Sequence, residues 1–398
     1  MTASERPDLA SDAPSYLDHA ATTALLPQAQ AAWVDAVEQL RRNPGNPSSL
    51  HAGGRAARRM LEDARERVAV ALGAEKNEVV FTSGATESDL IGVLGAARGA
   101  RAADPARNRI CVSGIEHDAV AQQRDLAVTE GFDWELFPVN FQGVSDPTVS
   151  DPATVGVASM TLVCAETGVI QPVERMVKQL GGKAYSHTDA AQAVGQIPVN
   201  FAQLGVDLLS IGGHKLGAPV GTGALLARRG VKIVSDRPGG GHERKIRSGT
   251  VDVAGAVALA VAVETATAEV DNRAAHSLLL RRYLVDRLPP EVTVTSEAPS
   301  APGLIHLSLP TRHPEALLLV MDQHGVMVSA GSACHAGVTR PSVILERMGR
   351  SESEALGVLR LSLGLSNTKR DLDRFLAALP AALEGAQKLD RYEAGSKR

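Results

Sequence analysis

Lys215 follows a short apolar run, 208–211, and a Gly212-Gly213 break within DLLSIGGHKLGAPVGTG, Asp207 to Gly223. The run has the composition of a buried strand, and the breakers after it exclude a helix, so the lysine falls on a loop at the strand's end. Partial desolvation there disfavours the ammonium form, and a free amine can form a Schiff base. A solvated lysine beside a turn would show the same local pattern. Asp189 follows a second predicted strand, 184–188, and is either a carboxylate at that strand's end or a helix cap in DAAQ. Thr82 to Glu87, TSGATE, passes from strand to helix through small residues, and its N–H groups with the Thr86 hydroxyl suit a phosphate. It is neither a P-loop nor a dinucleotide GxGxxG. His117 opens another helix after the strand 109–113. Cys334 lies in SAGSACHAG without apolar partners, a setting for a nucleophilic thiol. Cys111 sits mid-strand and reads as core. Arg360 interrupts the apolar run LRLSLG, and its planar fork matches a substrate carboxylate.

The elements that must hold these residues alternate along the chain. Strands are predicted at 78–81, 109–113, 155–163, 184–188, 207–211 and 223–227, and helices at 28–40, 54–72, 86–97 and 172–180. That order gives a doubly wound α/β fold with a mainly parallel sheet. Ligands on such sheets collect at the strands' carboxyl ends, where His117, Asp189, Lys215 and the Thr86 turn all fall. A long Ala/Val helix over 253–270 leads to a second region. It has helices at 274–287 and 315–324, from 341 and from 369, and strands at 292–295, 304–309, 326–329 and 358–363. The predicted organisation is a tail over 1–15, a large domain over 16–265, and a smaller α+β domain over 266–398 carrying the cysteine loop. Residues 16–25 should pack with the small domain. A length of 398 residues also exceeds one hydrophobic core.

Composition narrows the function classes. With 44% hydrophobic and 22% charged residues the chain is ordinary globular protein. A net charge of −4 and the absence of a basic stripe speak against nucleic acid. The polar, acidic N-terminus is neither a secretory signal nor a spanning helix, so no membrane partner is expected. Cys111, Cys164 and Cys334 lack CxxC spacing, which predicts no disulfide framework, no zinc site and a reducing cytoplasm.

A lysine amine, a carboxylate and a phosphate cradle at one sheet edge suit pyridoxal 5'-phosphate, whose ring stays protonated when a carboxylate faces its nitrogen. The segments YLDHAATT, GNPSSLHAGG, FTSGATESD, EHDAV, ETGVIQP, HTDAAQAVG, GGHKLGAPVGTGAL, GGGHERKIRSGT, VSAGSACHAG and LRLSLG occur in this order from residue 16 to about 365. Together they resemble the cysteine desulfurases, pyridoxal-phosphate enzymes of fold type I in the class V aminotransferase group. The cysteine segment, with a Pro-Ser helix start after it, resembles the subgroup with the longer cysteine loop.

The resemblance implies a large domain with a mainly parallel, seven-stranded sheet. It implies that Lys215 holds the cofactor and shuttles protons, and that His117 stacks on the ring and assists acid–base steps. Asp189 would pair with the ring nitrogen and Gln192 with the ring hydroxyl. Thr86, His214 and the Ala85 backbone would bind phosphate. Thr250 would reach the phosphate of a neighbouring subunit, implying a homodimer with shared sites. Arg360 would bind the carboxylate of L-cysteine. Cys334 would take its sulfur as a persulfide, leaving alanine, for a sulfur-acceptor or scaffold protein, as in iron–sulfur cluster assembly.

Three positions depart from the family. Cys164-Ala165-Glu166-Thr167-Gly168 stands where Asn-Asn-Glu-x-Gly is usual, Gly212 stands where a phosphate-binding Ser or Thr is common, and Leu90 replaces an Asn. The second Asn touches the ring hydroxyl and the substrate carboxylate, which Ala165 cannot do. A hydrogen bond to a charged group contributes about 1.5–3 kcal/mol, so roughly ten- to a hundredfold is at stake. These departures leave open a cysteine or selenocysteine lyase, an aminotransferase, or a weakly active cofactor-binding paralogue on the same scaffold.

Overall fold

The computed structural model describes residues 13–331 and 340–396. Among them the strands are β1 (Ser15–Tyr16), β2 (Val79–Thr82), β3 (Arg109–Ser113), β4 (Asp133–Phe137), β5 (Val155–Ser159), β6 (Tyr185–Asp189), β7 (Leu208–Gly212), β8 (Gly223–Ala227), β9 (Thr293–Val294), β10 (Leu304–Ser308), β11 (Val326–Met327) and β12 (Val358–Ser362). The central sheet has seven strands in the order β2-β8-β7-β6-β5-β3-β4. All neighbours run parallel except β8, which is antiparallel to both β2 and β7. Strands β2, β5, β7 and β8 are buried along their whole length, because helices cover both faces.

Boundaries follow local chemistry. The helix Ala52–Leu72 starts where His51 Nδ1 accepts the Gly54 N–H and stops at Gly73, whose φ of 67° is left-handed. β5 ends at Ser159, four residues before the predicted end. The chain then leaves ideal strand geometry, although the Met160 and Leu162 N–H groups still donate to the His187 and Asp189 carbonyls of β6. β4 was not predicted. It is an edge strand, DWELF, in which Asp133 and Glu135 alternate with apolar residues and only Phe137 is buried, so it lacks an unbroken apolar run. The predicted helix over 253–270 is Val253–Ala268, and a 64° bend separates it from Val270–Val285. No single helix among the described residues is long and apolar enough to cross a membrane; that bent pair meets the length and composition test. Val253–Ala268 is a core helix, buried along much of its length and packed on Pro27–Arg42 and Ala52–Leu72.

Two of the groups of buried side chains define the layers that hold the site, while a third, with Val80, Ile91, Val112 and Leu225, also packs on the central sheet. One fills the central sheet, from Val68 and Phe81 to Leu259 and Val263. The other gathers Leu17, Leu280, Leu307, Met321, Leu359 and Phe375 around the small antiparallel sheet β12-β10-β9. Leu17 enters this second core because β1 pairs with β11.

Candidate active site

The carboxyl ends of β2, β3, β6 and β7 gather the predicted residues. After β7 the chain makes a tight 3-10 turn, Gly213–Lys215, where sequence predicted an open loop. Gly213 permits it: a Cβ there would meet Thr222 Oγ1 at 2.3 Å, and the Gly213 N–H donates to the Thr222 carbonyl at 2.9 Å. The turn leaves Lys215 half-buried. Burial lowers its amine pKa from the ordinary 10.5, Asp189 and Asp89 oppose that, and Arg360 adds to it. The free-amine fraction at a given pH rises accordingly.

Asp189, the last residue of β6, is 6% exposed. Its Oδ1 accepts the Ala191 N–H at 2.8 Å, so it closes an Asx-type turn and no helix begins there. His117 caps the short helix Asp118–Ala121, its Nδ1 accepting the Ala119 N–H at 3.0 Å. That bond places the proton of the neutral ring on Nε2. His117 is solvent-accessible, yet the surrounding protein lowers its pKa by desolvation first and by Lys215 second; Arg360 lowers it further, while Asp189 and Asp118 raise it. An exposed ring with desolvating walls and three active-site charges in range stands in a cleft.

The turn from β2 into the next helix leaves backbone N–H groups open. Gly84 has φ 152° and opens onto free space, and Thr86 is exposed at the first turn of a helix whose first intrahelical bond runs from Ser88 to Gly84. The N–H groups of Ala85 and Thr86 therefore have no intrahelical partner. Glu87 accepts the Ser83 N–H at 2.6 Å and pairs with Arg237 at 3.0 Å and Arg247 at 3.2 Å. Gly212 abuts the cradle, its ideal Cβ lying 3.3 Å from the Ala85 Cβ. His214 shares a hydrogen bond with Thr22 Oγ1 at 3.2 Å, and burial, then Lys215, lowers its pKa. Thr250 is exposed and lines a crevice of about 90 Å³ with Thr82, Ser83 and Arg247, on the cradle's side of the fold.

Three residues have partners that sequence did not name. Gln192 donates from Nε2 to the Ala20 carbonyl at 2.9 Å and lines a cavity of about 380 Å³ with Lys215. Arg360 donates to Asp18 Oδ1 at 2.9 Å and to the Ala165 carbonyl at 3.0 Å, while its buried Nε has no partner among the described residues. Ala165 thus touches the arginine through its backbone. Cys164 is fully buried with a raised pKa, caused by desolvation, and Cys111 is pushed to about 12 by the same cause. Both are core thiols. Cys334 lies outside the described residues.

Sequence missed Asp18, and it missed Asp89, Glu116 and His187 behind the site. The signal available was the one used for Arg360, an ionisable residue inside an apolar run. Asp89 carries that signal in SDLIGVLG, whereas His187 lies among polar residues in YSHTD and carries none. An amine beside a buried carboxylate, an exposed N–H cradle and a guanidinium with a spare donor fit a phosphorylated pyridine aldehyde and an amino acid.

The aminotransferase class-V family model matches residues 15–375. The chain belongs to this family, and within it to the cysteine desulfurases. An IscS-like cysteine desulfurase of Mycobacterium tuberculosis is 40% identical over 396 residues, covering 96% of this chain and 100% of that protein. A cysteine desulfurase IscS of Dictyoglomus turgidum is 36% identical, covering 95% and 96%. Among solved structures, a NifS-like protein from Rickettsia africae superposes with a TM-score of 0.82 at 28% identity, over 93% of this chain and 99% of that one. A second NifS-like protein gives a TM-score of 0.83 at 32% identity, with the same coverage. The cysteine desulfurase family is thus reached from sequence and from fold alike.

Proposed function

We propose that this desulfurase-family protein converts L-cysteine to L-alanine with pyridoxal 5'-phosphate, passing the sulfur to Cys334 as a persulfide for a sulfur-acceptor protein. The observation that carries it is the convergence of Lys215, Asp189, His117 and Arg360 at one sheet edge, beside an open N–H cradle. Lys215 would hold the cofactor covalently, with Thr86, His214 and the Ala85 backbone on its phosphate and Asp189 on its ring nitrogen. The bound group supplies an electron sink for the substrate carbon. Lys215 moves a proton at its amine, made available by the lowered pKa. His117 would face the cofactor ring and would give or take a proton at Nε2. Arg360 holds the cysteine carboxylate through its spare donor. The Cys334 thiolate attacks the substrate sulfur: the carbon–sulfur bond breaks, a sulfur–sulfur bond forms, and alanine leaves. Gln192, through its second amide N–H, supports the ring hydroxyl. Thr250 serves the cradle of a partner subunit in a homodimer. The two described thiols are unpaired and buried, which accords with a cytoplasmic setting.

The test separates cofactor from sulfur chemistry. The purified protein should show a visible absorption band that Lys215→Ala abolishes. Cys334→Ala should keep the band but lose alanine and sulfide release from L-cysteine in the presence of a reductant. Turnover that survives Cys334→Ala would replace this reading with a lyase.

A further inference from the structure

Behind Asp189 lies a chain of buried polar side chains that the proposed chemistry does not use. Glu116 Oε1 accepts the Thr161 N–H at 3.0 Å and the Ser159 hydroxyl at 3.1 Å. Ser159 has one proton and gives it to Glu116, so its oxygen must accept from His187 Nδ1, 2.9 Å away. That fixes the His187 tautomer: Nδ1 carries the proton and Nε2 is an acceptor. Ser210 Oγ, 2.9 Å from Nε2, donates to it. Asp89 closes the chain, with Oδ1 3.5 Å from His187 Nε2. Every member is buried, and Asp89, His187, Ser159 and Ser210 are at 0% exposure. Gly92 leaves room for the imidazole, since a Cβ there would stand 2.7 Å from His187 Cδ2.

Three atoms in this chain decide its charge. Neither oxygen of Asp89 has a hydrogen-bond partner among the described residues, and neither has Glu116 Oε2. An ionised carboxylate buried without donors is costly, whereas a protonated one needs only an acceptor. The Ser210 oxygen, whose own proton goes to His187 Nε2, is the acceptor that faces Asp89. The surroundings agree. Asp89 faces Asp189, Glu116, Lys215 and Ser210, and burial and the two acids raise its pKa more than Lys215 and Ser210 lower it. Glu116 faces Asp189 and is pushed up to about 8, burial being the larger cause. Burial holds His187 neutral, at about 3.

We propose that Asp89 and Glu116, joined through Ser210, His187 and Ser159, are positioning residues that stay protonated behind Asp189 and leave it the sole carboxylate anion facing Lys215. The sheet register makes this arrangement: His187 precedes Asp189 by two residues on β6, Ser159 pairs with His187 from β5, and Ser210 pairs with Asp189 from β7. The proposal rests on the reading of Asp189 as the ring-nitrogen partner, but its test is made on the protein before cofactor is added.

Infrared spectra of the cofactor-free protein at neutral pH should contain the carbonyl stretch of protonated carboxylic acids, and Asp89→Asn and Glu116→Gln should each remove a part of it. Lys215 gives the second readout, through the pH dependence of its reaction with an amine-directed reagent. Asp189→Asn removes an anion and should shift that profile to lower pH. Asp89→Asn replaces one neutral group by another and should leave it in place. A missing acid band in the wild type, which needs no variant to observe, would overturn the proposal. So would a shift from Asp89→Asn as large as that from Asp189→Asn. Failure to bind pyridoxal phosphate would instead overturn the proposed function and leave these protonation states standing.

Discussion

Arg360 is already engaged before any substrate arrives. Its Nη2 donates to Asp18 and its Nη1 to the Ala165 carbonyl, while Nε has no partner among the described residues. Two of its five donors are spent on fixing the plane of the guanidinium, so an incoming carboxylate meets a preset fork. Asp18→Ala should therefore raise the KM for cysteine about tenfold, since one charge-assisted bond contributes about 1.5 kcal/mol to orienting the arginine, and lower kcat less. Steady-state kinetics on a variant with an unchanged absorption band check it; a KM within twofold of wild type would show that Asp18 merely fills space.

At the scale of elements, the cradle depends on how closely two strands approach a helix start. A Cβ at Gly223, the first residue of β8, would stand 2.6 Å from Gly84 Cα and 2.8 Å from the Ile211 carbonyl. Both obstacles are backbone, so neither can rotate away. Gly223→Ala should push the Ser83–Thr86 turn off the sheet and weaken pyridoxal phosphate affinity by about tenfold or more. Equilibrium dialysis reads this directly, and unchanged affinity would place the phosphate elsewhere. Strand β2 shows a related economy. Its outer edge would be open at Phe81, but Glu243 accepts the Phe81 N–H at 2.7 Å and is gripped by Arg65 at 2.6 and 2.7 Å. The same carboxylate anchors Glu243, Arg244 and Lys245, three consecutive non-glycine residues with positive φ. Such a run costs about 1–2 kcal/mol per residue and persists where surrounding contacts over-determine it.

For the whole molecule, the buried titratable groups set how stability changes with pH. Glu116 is raised from 4.5 to about 8, so the folded state keeps a proton that the unfolded chain has lost. Its contribution is complete below pH 4.5 and drains away as pH rises toward 8; Asp89 acts in the same direction. His187 is lowered from 6.5 to about 3, so the unfolded chain binds the extra proton, and stability falls as pH drops through that window. Glu116→Gln should flatten the decline by about 1.4 kcal/mol per pH unit between pH 4.5 and 8. Urea denaturation at stepped pH measures the slope; a slope equal to wild type would show Glu116 to be ionised in the fold.

Sequence alone determined the order of strands and helices, the placement of Lys215, Asp189 and the Thr86 turn at strand ends, and the family. These are local facts: apolar runs, breakers and short motifs declare themselves within a few residues. Strand β4 escaped because Asp133 and Glu135 alternate with its apolar residues, so it lacks the unbroken apolar run that marks β2 or β8. The partners of Arg360 and the chain from Asp89 to Glu116 were decided only by tertiary structure. Asp18 meets Arg360 across 342 residues and Ser159 meets Glu116 across 43. Whether a buried acid is ionised depends on which groups the sheet brings beside it, and sheet register is a property of the assembled strands rather than of any one of them.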